Sequence, residues 1–190
     1  MPLAARRARP RRLPAAVLVV AVLLLALSLL RPLRHDDGWL LELAGRPVDL
    51  AGLLQDHWVR LSRHCQPVTR WPADSPLARQ ARQVLADYSP PASQGAQPVQ
   101  LLGWAEGPAP WLLAEVRWDG GAGPGLDNAI VPLRRGADGR WQVQAEGVWS
   151  GTPGPWWGPT LIRRYLRQRL PAVPGALVDC LDPTLPPFVR

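Results

Sequence analysis

Trp111-Leu112-Leu113-Ala114-Glu115-Val116-Arg117-Trp118 alternates residue by residue: Leu112, Ala114, Val116 and Trp118 fall on one side, Glu115 and Arg117 on the other. A period of two marks a β-strand, because successive side chains leave a pleated backbone on opposite faces. The neighbouring sequence keeps that period. Val99–Trp104 is a second candidate strand, reached across the turn-forming Gly107-Pro108-Ala109-Pro110, and Asn128–Arg134 a third, beyond the flexible Gly120–Gly125 loop. In Arg140–Trp149, Trp141, Val143 and Ala145 alternate with Gln142, Gln144 and Glu146. Ala137-Asp138-Gly139 separates the last two strands, and Asp-Gly favours a tight hairpin. These segments predict an antiparallel sheet of about four strands. Pro132 cannot donate to a ladder, so its strand is expected at an edge or at a bulge.

Upstream the period changes to that of a helix. Asp49 reads as the N-cap of a helix running to about His64, with Leu50, Leu53, Leu54, Trp58 and Leu61 making one apolar face. Ser75-Pro76 opens a second helix, with serine as cap and proline at the first helical position; Leu77, Ala81, Val84, Leu85 and Tyr88 form its stripe, and Ser89-Pro90-Pro91 ends it. Downstream, Gly158-Pro159 opens a third helix. Leu161, Ile162, Tyr165, Leu166 and Leu170 give it a core face, and Arg163, Arg164, Arg167 and Arg169 a basic side for which Asp179 and Asp182 are nearby partners. Pro171 and Pro174 stop it, and Ala176–Arg190 reads as irregular. Two helices, a meander and a last helix make an α+β order. It is compatible with a curved sheet wrapped around a helix, as in cystatin-like or NTF2-like domains.

Before the first helix, Arg6, Arg7, Arg9, Arg11 and Arg12 run into the uncharged Leu13–Leu30. As a helix rising about 1.5 Å per residue, that segment is roughly 27 Å long, close to the thickness of a bilayer's hydrocarbon core. The expected organisation is a basic cytoplasmic stub (1–12), a transmembrane anchor (13–30), a juxtamembrane tether (31–46) with Trp39 at headgroup level, and an extracytoplasmic domain (47–190). The arginine bias keeps the stub inside the cell. A cleaved signal peptide is the rival reading, since Ala26 and Ser28 make a small-residue cleavage pattern, but its apolar region is usually only 7–15 residues long. Both readings put the domain outside the cytoplasm. Basic residues that are all arginine, among abundant alanine, glycine and proline, resemble high-GC bacterial usage, so the expected location is the bacterial inner membrane with the domain in the periplasm.

Charge then loses its most obvious meaning. The chain has 22 basic and 15 acidic residues and a net charge of +7, which resembles a nucleic-acid signature. Setting aside the five arginines of the stub leaves 17 against 15. Basicity here reports topology, and nucleic acid is not implied. The two cysteines, Cys65 and Cys180, are expected to form a disulfide in an oxidising compartment; two unpaired buried thiols, or a reactive Cys65 beside His64, are the alternatives.

Signatures of catalysis are missing. There is no nucleophile elbow, phosphate loop, dinucleotide fingerprint or His-Glu-x-x-His, and the acidic residues are scattered. His57 and His64, two turns apart with no carboxylate at i+3 or i+4, are weak metal ligands. No catalytic residue, cofactor or metal site is therefore nominated. The unusual feature is ten tryptophans in 190 residues. Trp104, Trp118 and Trp141 alternate as core residues do, whereas Trp149, Trp156 and Trp157 surround a Gly/Pro-rich turn. With Arg163, Arg164 and Arg167 they are the candidate interaction residues. The expected role is a non-catalytic accessory or assembly subunit of an envelope complex that binds a protein partner. A module binding peptidoglycan or another carbohydrate through surface tryptophans is the alternative, and an enzyme with His57 or His64 as base is a third.

Overall fold

The computed structural model describes residues 17–22, 31–35, 38–88, 92–106, 110–118 and 128–188. Of the expected anchor, residues 17–22 are helical; the rest of 13–30, the stub and the Gly120–Gly125 loop lie outside the described residues. Among the described residues no helix is long and apolar enough to cross a membrane.

The chain divides into two compact units, one ending at Val48 and the other beginning at Asp49. In the first, the expected tether is a three-stranded antiparallel meander of β1 (Arg31–His35), β2 (Gly38–Leu43) and β3 (Arg46–Val48). Ala44 and Gly45 adopt positive φ between β2 and β3, which makes the reversal tight. The register places Pro32 opposite Leu41, and Leu41 opposite Val48. The meander therefore returns the chain to within two strand spacings of its start, about 10 Å.

The second unit is built on an antiparallel sheet in the order β4 (Val68–Trp71), β5 (Ala96–Trp104), β6 (Trp111–Trp118), β7 (Ala129–Arg135), β8 (Trp141–Val143), with β9 (Trp149–Ser150) also on β7. Its helices are α1 (Leu50–Ser62), α2 (Pro76–Tyr88), α3 (Gly158–Arg169) and the short α4 (Gly175–Asp179). The α+β class and the antiparallel sheet hold, with six strands in place of about four. The expected last strand is broken: β8 and β9 are separated by a 3₁₀ turn at Ala145–Gly147. Pro132 supplies the reason. Its carbonyl accepts from Gln144 N on that side, where Pro132 has no N–H to return, so a continuous partner strand gains nothing there. The Asp-Gly hairpin forms as expected, with Gly139 at φ +77° and Asp138 Oδ1 accepting from Arg140 N at 3.1 Å.

Alternation along β5, β6 and β7 feeds two cores. Leu101, Leu112, Ala114, Val116, Val131 and Leu133 pack with Ala81 and Leu85 of α2 on one face. Leu102, Trp111, Leu113 and Ile130 pack with Ile162 and Leu166 of α3, Leu177 and Val178 of α4, and Phe188 on the other. Helices cover both faces of the sheet, α2 on one and α3 with α4 on the other. The tail beyond Ala176, expected to be irregular, includes most of α4 and buries Leu181 and Phe188. Gly158 admits this tail, since a Cβ there would strike the Phe188 carbonyl.

Glu115 secures the same tail. Strand alternation sends it away from Ala114 and Val116, but that direction is interior, and the residue is fully buried. Its carboxylate accepts from Thr184 N (2.6 Å), Leu185 N (2.7 Å) and Thr184 Oγ1 (3.0 Å). Three donors on one carboxylate replace the water it lost. Glu115→Ala orphans all three, and thermal unfolding should reveal a loss of about 2–3 kcal/mol, with Glu115→Gln costing less because one acceptor oxygen survives.

Candidate functional site: a helix with its apolar face outward

Helix α1 begins where the sequence places it. Asp49 Oδ1 accepts from Gly52 N at 2.7 Å, a first-turn cap. The helix faces the unexpected way. Leu50, Leu54, Trp58 and Leu61 lie within roughly 80° of one another around the axis. They are 41%, 71%, 70% and 70% exposed. The opposite side is buried and polar. Gly52 and Asp56 are the helix's buried residues.

Long-range polar partners explain the inversion. Arg163 Nη1 of α3 donates to Asp56 Oδ1 at 2.6 Å, and the Trp157 indole N–H donates to Asp56 Oδ2 at 3.0 Å. Arg60 Nε, one turn along α1, reaches the same oxygen at 3.0 Å. Arg163 also donates to the Leu181 carbonyl through Nε (3.2 Å) and Nη2 (2.9 Å). Asp182 receives Arg63 at 2.7 Å and Arg60 at 3.2 Å. Asp49 Oδ2 takes the Trp157 backbone N–H at 3.1 Å, and Thr160 Oγ1 donates to the Gly52 carbonyl at 2.7 Å. Gly52 is needed for this arrangement, because a Cβ would collide with the Asp49 carboxylate. Burial opposes charge on Asp56, but Arg163, the Trp157 N–H and Arg60 outweigh it and hold its carboxyl below the usual carboxylate range.

The sequence-predicted interaction residues are divided among several contacts. Trp157 and Arg163 meet at Asp56, and Arg163 is only 2% exposed, so it is not part of a solvated basic side. Trp156 is 7% exposed, and the Arg164 guanidinium stands over its ring at 5.5 Å. Trp149, half-buried, meets Tyr165 edge-on with centroids 5.1 Å apart. Arg167 pairs with Asp179. The turn's aromatic residues thus brace α3 against the rest of the unit. His57 and His64 are exposed on and just beyond α1. Cys65 and Cys180 lie at disulfide distance, their Cα atoms 5.8 Å apart. Asp49, Asp56 and Glu115 were not among the nominated residues. Asp49 was legible as a helix cap but not as a partner of Trp157, and the only sequence signal of Asp56 and Glu115, a carboxylate on a polar face, is the one a solvated residue also gives.

No protein-family model, curated protein or solved structure matches the chain.

Proposed function

We propose that the chain is a membrane-anchored, non-catalytic accessory subunit of a bacterial envelope complex, and that the outward apolar face of α1 is where it docks a protein partner. The carrying observation is the exposed Leu50-Leu54-Trp58-Leu61 stripe over an underside fixed by buried charge. Soluble domains rarely leave a contiguous apolar stripe in water unless something covers it. Trp39 on β2, 64% exposed, suits the headgroup level next to a span over 13–30. A protein surface fits the stripe better than lipid. Helices that lie in the interface carry many Lys or Arg beside the apolar face, whereas α1 carries only Arg60, which already pairs with Asp56 and Asp182.

A photo-crosslinking residue at position 54 of the full-length protein, activated in cells, should give one dominant adduct with a second envelope protein. Lipid adducts alone, or adducts only with another copy of the chain, would overturn the docking assignment. Leu54→Asp should abolish the hetero-adduct formed from a crosslinker at position 61 without lowering the melting temperature, since Leu54 is already in water.

A further inference from the structure

A cleft of about 580 Å³ lies between α2 and the β7–β8 hairpin, in the size range of ligand sites. We propose that it binds an acidic saccharide. The assignment is independent of the partner docked on α1.

Its chemistry comes from six residues. Tyr88, the last residue of α2 and 46% exposed, and Trp141, the first of β8, both line it. Trp141 packs against the α2-side core, which makes it a rigid wall. Two aromatic rings suit the C–H face of a sugar ring, which is flat and apolar while its rim carries hydroxyls. Around them stand Gln83, Asp87, Arg135 and Arg140, planar groups that take hydroxyls in pairs. Gln83 Nε2 donates to both oxygens of Asp87 at 3.1 and 3.2 Å, which sets that pair and leaves Gln83's carbonyl oxygen as an acceptor. Arg135, opposite Trp141 in the ladder, gives its Nε to the Gly139 carbonyl at 2.8 Å. Its guanidinium is thereby pre-oriented, and its terminal nitrogens match a carboxylate's two oxygens.

Charge narrows the class. Two guanidiniums and one carboxylate leave the lining net cationic, so a neutral sugar leaves positive charge uncompensated and a uronic-acid-type ring does not. An extended peptide fits less well. β8 offers three residues of edge, too little for an added strand.

The test uses full-length protein in detergent micelles, titrated calorimetrically with tetragalacturonate, its methyl ester and tetraglutamate. Saturable binding of tetragalacturonate is expected, with the ester and the peptide each at least about tenfold weaker. Trp141→Ala, Tyr88→Ala and Arg140→Glu should each weaken it about tenfold or more, and Gln168→Ala, exposed on α3 at the other face of the sheet, should not. Tyr88 is exposed enough for its truncation to leave the fold intact, so its variant remains decisive if Trp141→Ala unfolds. No saturable binding, equal binding of tetraglutamate or of the ester, or full affinity in Tyr88→Ala would overturn the assignment.

Discussion

Arg163→Met should lower the unfolding free energy by about 3–5 kcal/mol, among the largest effects of any single substitution in this chain. The guanidinium is almost wholly buried and holds two elements at once: Asp56 on α1 and the Leu181 carbonyl in the tail. Methionine matches its stem but leaves the Asp56 carboxylate facing only Trp157 Nε1 and Arg60. A buried charge that loses its main partner costs far more than the pair contributes over an apolar replacement. Asp56→Leu combined with Arg163→Met should therefore recover much of the loss, with a coupling energy of about 1–3 kcal/mol in the double-mutant cycle. Strict additivity of the two single effects would show that the pair is not coupled.

The same pair predicts a pH dependence. The Asp56 carboxyl is held below its unfolded value of 3.8, so its contribution is complete above that value and declines as pH falls through the lower folded one. In Arg163→Met the carboxylate loses its main stabiliser and protonates at higher pH, which relieves the unpaired charge. The stability gap between the two proteins should be largest near neutrality and narrow below about pH 4. A gap constant down to pH 3 would mean that Asp56 is not the group responsible.

Legibility from sequence followed the range of the interactions. Helix α2 and strand β6 are found where local signals put them, because a Ser-Pro start and a strict period of two are written in adjacent residues. β1, β3 and β4 escape such reading: they have five, three and four residues, too few to establish a period. Helix α1 is the instructive case. Its periodicity defines two faces but not which one turns inward. The choice depends on Arg163, 107 residues from Asp56, and on a glycine that lets the Asp49 carboxylate fold back. Glu115 poses the same problem on a strand, where alternation gives its direction but not that the direction is interior. The tail reads as irregular because proline breaks any period, yet Glu115, Gly158 and the cysteine pair hold it in the core. The nominated tryptophans and arginines were recognisable as unusual; their partners were not.

Reduction of the Cys65–Cys180 pair should lower the melting temperature of the full-length protein by roughly 10 °C. The two residues are 115 positions apart, and a crosslink closing a loop of that length removes about 4–5 kcal/mol worth of freedom from the unfolded chain in the entropic account. Cys65 follows α1, whereas Cys180 caps α4 and offers its carbonyl to Arg70 Nη2 at 3.0 Å. The bond therefore ties the helix with the outward apolar face to the segment that Arg163 and Glu115 hold. Because these contacts share that segment, reduction and Arg163→Met should not add, and the variant in reductant should lose its tail first, visible as early amide exchange at Leu177–Leu181. Protein purified without reductant and unfolded should show no titratable thiol, and two after reduction. Two thiols before reduction would remove the crosslink from the fold.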